Sequence, residues 1–216
     1  LFVVGVISFL ALFIYIELTL PAPESIAVRK VTESTKIYDK TAEVLLYDIH
    51  GEEKRTIIPW DQIPESAKKA TLVSEDADFY NHKGLDVSGI LRAILKDLRD
   101  LNLTQGGSTI TQQLVKKALL GDEKTLTRKL KEALLSIEVE KRFTKDEILW
   151  MYLNQIPYGS NAYGVEAASR TFFGKPAREL TLAEAATLAA AANAPTYYSP
   201  YGTHKEELID RASYIL

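Results

Sequence analysis

The 216-residue chain contains no cysteine. A disulfide, a thiolate nucleophile and a cysteine-based metal site are therefore excluded. The three histidines, His50, His82 and His204, lie far apart and lack the spacing of metal ligands, so we expect no zinc site and assign no metal-binding residues. The formal net charge is only −3, and the composition therefore gives no indication of nucleic acid or another polyanion as a partner.

An apolar segment opens the chain. Residues 1–16 carry no charge, and Glu17, Pro21 and Pro23 close the run. A helix needs about 20 apolar residues to cross a bilayer, so we predict a truncated transmembrane anchor over residues 1–20. The hydrophobic core of a signal peptide and a buried core helix are the alternatives. Residues 21–34 contain prolines and charges and are interpreted as a linker.

Residues 35–216 are predicted to form one mainly α-helical domain with a small β element. Strand-forming residues around Tyr47 and a turn at Gly51 indicate two or three short strands before residue 60. Apolar residues at helical spacing follow from Pro64 onward. Capping signals at Thr144 and Thr181 begin two of the helices, and Gly174 ends another. Helices are predicted over 65–78, from 86, 109–119, 125–143, from 144, 161–173, 181–194 and from 205.

The segment 75–84 is the richest in groups that could carry chemistry. It contains three carboxylates, two aromatic residues and His82 within ten positions at a helix end. A carboxylate enclosed by aromatic side chains has its ionised form disfavoured, which suits proton transfer. Glu75 follows an apolar run and is expected to be the member that faces inward. A solvated acidic helix end is the alternative interpretation.

Two further segments could bind an anion. Gly106 and Gly107 lead into a helix whose free N–H groups would suit a phosphate, although the G-x-x-x-x-G-K-[ST] pattern of a P-loop is missing. An ordinary capped turn explains the same residues. In segment 127–132, Arg128 and Lys129 lie four and three positions before Glu132. This pattern predicts either a surface salt bridge or a carboxylate set among cations that face a pyrophosphate.

Taken together, these segments resemble the ordered motifs of family 51 glycosyltransferases. These are the polymerising domains of class A penicillin-binding proteins and of monofunctional transglycosylases. The resemblance runs from about residue 35 to the end, and four motifs in the right order are specific in a way that no single one is. The matching residues are Glu75-Asp76-x-x-Phe79-x-x-His82-x-Gly84, Gly106-Gly107-Ser108-Thr109-Ile110-Thr111-Gln112-Gln113, Arg128-Lys129-x-x-Glu132 and Ile148-Leu149-x-x-Tyr152-Leu153-Asn154.

The resemblance implies a lysozyme-like helical fold and an inverting reaction that joins lipid II units through β-1,4 links and releases polyprenyl pyrophosphate. Glu75 would be the general base for the acceptor hydroxyl, and Glu132 would assist departure of the pyrophosphate with Lys116, Arg128 and Lys129. Arg92, Gln112 and Gln113 would bind pyrophosphate or sugar. Asp76, Phe79 and His82 would shape the site.

The implied partners are lipid II, the growing lipid-linked glycan and the membrane. Bifunctional members of the family continue into a transpeptidase domain, and the sequence leaves open whether the full-length protein has one. The implied location is the outer face of the bacterial cytoplasmic membrane, reached by a single-pass anchor. No cofactor is assigned, although a divalent cation such as Mg²⁺ or Mn²⁺ could accompany the pyrophosphate. A peptidoglycan-cleaving hydrolase of the same fold and a non-enzymatic membrane-bound scaffold are the rival functions.

Overall fold

A computed structural model describes residues 19–28, 35–41, 45–49, 54–87, 89, 107–121, 123 and 125–216. Residues 1–18, where most of the predicted anchor falls, lie outside this range, as do most of the helix predicted from residue 86 and its residue Arg92. Among the described residues, no helix combines the length and the apolar character needed to cross a membrane. The anchor therefore stays a prediction.

Helices dominate the described residues, and the strands are short. The α-helices are α1 (Ser25–Val28), α2 (Glu65–Glu75), α3 (Ile110–Val115), α4 (Leu126–Arg142), α5 (Lys145–Gln155), α6 (Val165–Phe173), α7 (Leu182–Asn193) and α8 (Lys205–Ile215). A π-helical turn, Lys116–Leu120, continues α3, and 3₁₀ turns span Trp60–Gln62, Phe79–Asn81 and Ala177–Glu179. The strands are β1 (Thr35–Tyr38), β2 (Leu45–Ile49), β3 (Lys54–Arg55), β4 (Pro157–Gly159) and β5 (Ala162–Tyr163).

The chain divides into two compact units, each built from two separate chain segments. The first unit comprises Leu1–Arg29 and Asn81–Thr144, and the second comprises Lys30–Tyr80 and Lys145–Leu216. Residues 35–216, predicted as one domain, contribute to both units. The mainly helical fold class with a small β element is confirmed by these elements.

In the first unit, α3 packs against α4. The side chain of Thr109 accepts a hydrogen bond from the N–H of Gln112, and the side chain of Gln112 accepts one from the N–H of Thr109, which completes a capping box. The sequence predicts one apolar stripe on α4 that includes Leu126 and Leu130, but these residues are 86% and 49% exposed. That stripe is not the buried face. The buried residues of α4 are Glu132, Leu135, Ser136 and Val139, so polar groups share the packed side of the helix.

In the second unit, the alanine-rich helix α7 packs against both α2 and α8. The strands β1 and β2 pair antiparallel, and a second sheet has the order β3-β5-β4. The helix predicted from residue 161 begins only at Val165, because Ala162 and Tyr163 pair with β3 as strand β5. Gly164 makes the turn between them with φ +81, and an added Cβ there would lie 2.6 Å from the carbonyl oxygen of Asn154.

Candidate active site

Glu75 is the last residue of α2, in the second unit. Asp76 ends the helix with φ −163 and ψ 76, and its N–H still donates to the carbonyl oxygen of Leu72. The sequence led us to expect that Glu75 is the carboxylate that faces inward. The structure differs from that expectation, because Asp76 is the more buried of the two carboxylates. Asp76 is only 8% exposed, whereas Glu75 is partly exposed. The change of backbone direction at Asp76 buries the Asp76 carboxylate and leaves Glu75 partly exposed.

Two uncharged side chains donate hydrogen bonds to the carboxylate of Glu75. The side chain of Asn193 donates from Nδ2 to Oε1 over 3.0 Å, and Ser74 Oγ donates to the same oxygen over 3.1 Å. Burial, with the negative charge of Glu75 as a further cause, raises the pKa of the phenols of Tyr152 and Tyr158. Both tyrosines are almost fully buried. The phenols of Tyr152 and Tyr158 therefore stay protonated and uncharged at neutral pH.

Phe79 is fully buried and anchors the segment that follows Glu75. The Nζ atom of Lys145 lies 4.3 Å from the centre of its ring, and the ring of Tyr80 meets it edge-on at 5.3 Å. Tyr80 donates its hydroxyl to Asp146 over 2.8 Å. Burial and this hydrogen bond raise the pKa of Tyr80 to about 12. Contacts with the start of α5 thus fix this end of the segment.

In the first unit, Gly84 lies directly against α4. Its φ is +88, and an added Cβ would lie 2.7 Å from the carbonyl oxygen of Ser136. Its own carbonyl oxygen accepts the hydroxyl of Thr109 over 2.7 Å, and Ser136 in turn donates to the carbonyl oxygen of Glu132 over 2.7 Å. Only glycine fits so close to the helix backbone. The loop that carries His82 and Gly84 is therefore seated on α4, one turn from Glu132.

Glu132 is the most enclosed of the predicted site residues in the first unit. Its side chain is only 2% exposed, and Arg128 Nη1 donates to Oε2 over 2.5 Å. Lys129 donates to the other carboxylate oxygen and also to Ser108 Oγ, 2.8 Å away. The alternative of an ordinary surface salt bridge is therefore wrong, since the carboxylate is buried. Two cations share one carboxylate, and the group keeps a net positive charge that can attract an anion.

Gln112, Gln113 and Lys116 follow on α3. Gln112 is 3% exposed and its side chain is part of the capping box, so it shapes the helix start. Gln113 and Lys116 are partly exposed. The N–H of Lys116 is shared between the carbonyl oxygens of Gln112 and Gln113, at the point where the helix widens into a π-helical turn. Such turns are frequent at functional sites.

The predicted site residues are distributed over both units. Glu75, Asp76 and Phe79 belong to the second unit, and His82, Gln112, Gln113, Lys116, Arg128, Lys129 and Glu132 belong to the first. Sequence reasoning missed Asn193 and Ser74. The available signal for Asn193 was a single polar residue at the end of an alanine run, directly before Ala194-Pro195. No group of three or more acidic or histidine side chains among the described residues is arranged to hold a metal ion.

The chain is similar to known proteins over most of its length. Residues 42–216 match the family described as Transglycosylase. The chain is 44% identical over 213 residues to penicillin-binding protein 1A of Aquifex aeolicus, covering 99% of this chain and 28% of that protein. It is 42% identical over 201 residues to penicillin-binding protein 1A/1B of Bacillus subtilis, covering 93% of this chain and 22% of that protein. The chain thus spans about a quarter of the length of these curated relatives.

Proposed function

Because the chain belongs to the transglycosylase family, as its ordered motifs predict, we propose that it polymerises lipid II into β-1,4-linked glycan strands. The prediction of a peptidoglycan glycosyltransferase domain is confirmed by this membership. In the proposed reaction, the 4-hydroxyl of the acceptor sugar attacks the anomeric carbon of the lipid-linked donor. A new glycosidic bond forms with inversion, and the bond to the polyprenyl pyrophosphate breaks.

The observation that carries the proposal is the buried Glu132 held between Arg128 and Lys129. A leaving pyrophosphate gains negative charge as its bond to the sugar breaks, and fixed cations stabilise that charge without reorganisation. Burial of the carboxylate keeps both cations at one place on α4. A hydrolase releases a sugar hydroxyl, which needs a proton donor and no cationic cluster. The cluster therefore favours the transferase over the hydrolase.

Glu75 acts as the general base in this proposal. Its carboxylate takes the proton of the attacking hydroxyl, so the oxygen becomes nucleophilic as the new bond forms. The contacts with Asn193 and Ser74 support this role, because two uncharged donors orient the carboxylate through hydrogen bonds. Buried Asp76 and Phe79 keep the end of α2 in place.

The remaining predicted residues take supporting roles. Lys116 and Gln113 bind the pyrophosphate or a sugar from α3, and His82 shapes the loop before Gly84. Arg92, which lies outside the described residues, stays a predicted ligand of the pyrophosphate. A divalent cation, Mg²⁺ or Mn²⁺, would arrive with the substrate pyrophosphate.

The membrane location forms part of the same proposal. A polyprenyl-linked substrate stays in the bilayer, and the apolar segment 1–20 would hold the enzyme at the outer face of the cytoplasmic membrane, as predicted. The relatives are much longer than this chain, which supports a transpeptidase domain in the full-length protein.

The test is polymerisation of labelled lipid II in detergent. Wild type should give long glycan strands, and Glu75→Gln should lower the rate by about 100- to 10,000-fold, since the variant keeps the shape of the side chain but cannot accept the proton. Glu132→Gln should also be strongly impaired, because the two cations lose their carboxylate. Glu65→Gln is the matched control, since Glu65 pairs with Lys68 at the start of the same helix and should leave the rate unchanged.

Other outcomes would replace the proposal. Release of soluble fragments from preformed peptidoglycan, without any polymer from lipid II, would establish the hydrolase. Binding of glycan without either activity would leave a membrane-bound scaffold. Full activity in Glu75→Gln would remove the base assignment.

A further inference from the structure

Small side chains let α7 approach α2 closely. The buried face of α7 is almost entirely alanine, and the spacing of two packed helices depends on the size of the side chains between them. As a result, Ser74 Oγ on α2 lies 3.4 Å from the backbone carbonyl oxygen of Ala189. The buried residues of α7 are Ala185, Ala186, Leu188, Ala189, Ala190 and Ala191.

This close approach brings the end of α7 to the end of α2. Asn193, the last residue of α7, donates to Oε1 of Glu75 over 3.0 Å. Ser74 donates to the same oxygen over 3.1 Å, although its single hydroxyl hydrogen can serve either Glu75 or Ala189 at one time. The amide of Asn193 has no such competition from Ala189.

Asn193 is itself held in position. Ala194 leaves the helix with φ −145 and ψ 77, and its carbonyl oxygen accepts the N–H groups of Tyr197 and Tyr198 over 2.9 and 2.8 Å. Gly159 packs against this turn, since an added Cβ there would lie 2.9 Å from the carbonyl oxygen of Pro195. Hydrogen bonds within the turn and packing against Gly159 therefore restrain the backbone that follows Asn193. This backbone positions the amide of Asn193.

We propose that Asn193 is a positioning residue that fixes the orientation of the Glu75 carboxylate for proton transfer. The inference rests on the proposed function, in which Glu75 is the base. An amide donor orients one carboxylate oxygen through a hydrogen bond and adds no charge, whereas a lysine or arginine in its place would neutralise the group. The energy of ordering the base is then supplied by the fold before the substrate arrives.

The groups around Glu75 come from four elements. Asp76 follows it at the end of α2, Tyr152 lies on α5 and Tyr158 on β4, and both phenols sense its charge. Asn193 approaches from α7. A charge placed at Asn193 would therefore lie in direct contact with the Glu75 carboxylate.

Three variants of the full 216-residue chain test the inference in the lipid II assay. Asn193→Leu removes the donor at nearly the same size, and kcat should fall by about tenfold or more while KM changes less than about twofold. Asn193→Asp keeps the shape and adds a carboxylate, so the acidic limb of the pH profile of kcat/KM should move up by about one pH unit. Asn161→Asp adds the same charge at an exposed turn of the same unit and should change neither quantity.

The double variant Glu75→Gln/Asn193→Leu tests whether the effect of Asn193 depends on the carboxylate of Glu75. If Asn193 acts through Glu75, the double variant should be no slower than Glu75→Gln alone. A raised KM with unchanged kcat in Asn193→Leu would make Asn193 a substrate contact and overturn the inference. Wild-type kinetics in both Asn193 variants, with Glu75→Gln inactive, would overturn this inference and leave the proposed function intact. Activity in Glu75→Gln would overturn both.

Discussion

Glu75 and Glu132 are both placed by helices, and two cations bind Glu132 whereas Asn193 and Ser74 donate to Glu75. The carboxylate of Glu132 is almost completely buried between two cations of its own helix. The carboxylate of Glu75 is partly exposed and is held by the neutral side chains of Ser74 and Asn193. Cations lock a carboxylate in its ionised form, whereas neutral donors orient it and leave its charge in place.

In the proposed reaction, this difference gives two identical functional groups different roles. A base must exchange a proton during each turnover, so it needs orientation without neutralisation. A group that organises cations must never take up that proton, so it needs strong and permanent partners. In the proposed reaction, the role of each carboxylate is set by its partners. Substitutions of those partners, or of similar ones elsewhere in the chain, test this view.

The largest effect is expected on breaking the cluster at Glu132. Arg128→Met leaves a carboxylate that is 2% exposed with Lys129 as its remaining cation, and the free energy of unfolding should fall by about 3 kcal/mol. Arg128→Met/Glu132→Leu should be less destabilised, because no buried charge is left behind. Urea unfolding followed by circular dichroism measures both, with Lys141→Met as the control on the same helix.

Lys141 pairs with Glu138 at the surface, where the side chains are 63% and 37% exposed, so its loss should cost less than about 1 kcal/mol. Equal losses in Arg128→Met and Lys141→Met would contradict the view that burial makes the Glu132 cluster special.

An intermediate effect on stability is expected at Glu184, which lies outside the candidate active site. A cation and an uncharged residue both donate hydrogen bonds to its carboxylate. The hydrogen bond from Lys175, with those from the N–H and hydroxyl of Thr181, lowers the pKa of Glu184 from 4.5 to about 2. Because the folded-state pKa is depressed, its contribution is complete above pH 4.5 and is lost as the pH falls toward 2. Glu184→Gln should remove about 1 kcal/mol at pH 7 and less at pH 2.

Chemical unfolding of wild type and Glu184→Gln at several pH values gives this difference directly. The exposed Glu206, in the first turn of α8, provides the control substitution Glu206→Gln. A difference between wild type and Glu184→Gln that stays constant from pH 7 to 2 would show that the ionised form of Glu184 adds nothing.

The smallest effect is expected at Tyr80, which donates to Asp146 much as Asn193 donates to Glu75. Partial burial and this hydrogen bond raise the pKa of Tyr80 to about 12, so the stabilisation from the neutral phenol is present below pH 10 and is lost as the pH rises toward 12. Tyr80→Phe should cost about 0.5 kcal/mol, since the residue is 51% exposed and the bond is open to water.

Ultraviolet difference titration between wild type and Tyr80→Phe isolates this phenol, and Asp146→Asn should bring its pKa back toward 10. An unchanged titration in Asp146→Asn would mean that burial alone sets the pKa.

Local features were predictable from the sequence because a few neighbouring residues determine them. The capping box at Thr181 is confirmed, Gly174 ends α6 with the left-handed φ of +69, and the ion pairs at spacings of three and four around Glu132 form as predicted. Each of these depends on helix geometry within one turn.

The missed features depend on contacts between distant parts of the chain. The strand β5 has two residues and exists because β3 pairs with it, and no periodic pattern can appear in so short a segment. Asn193 reaches Glu75 only because α7 packs on α2. On α4, the predicted apolar stripe failed because buried Glu132 and Ser136 take positions that a simple hydrophobic pattern assigns to leucine.

The division of each unit into two chain segments constrains the order in which the protein can fold. In the second unit, β3 pairs in parallel with β5. This pairing can form only after β5 has been synthesised, roughly a hundred residues after β3. Closing a loop of that length carries an entropic cost, which makes late pairing slow. The first unit also interrupts the second along the chain. We therefore expect the helices of residues 107–144 to form early during synthesis, and the sheet that joins the two segments of the second unit to form last.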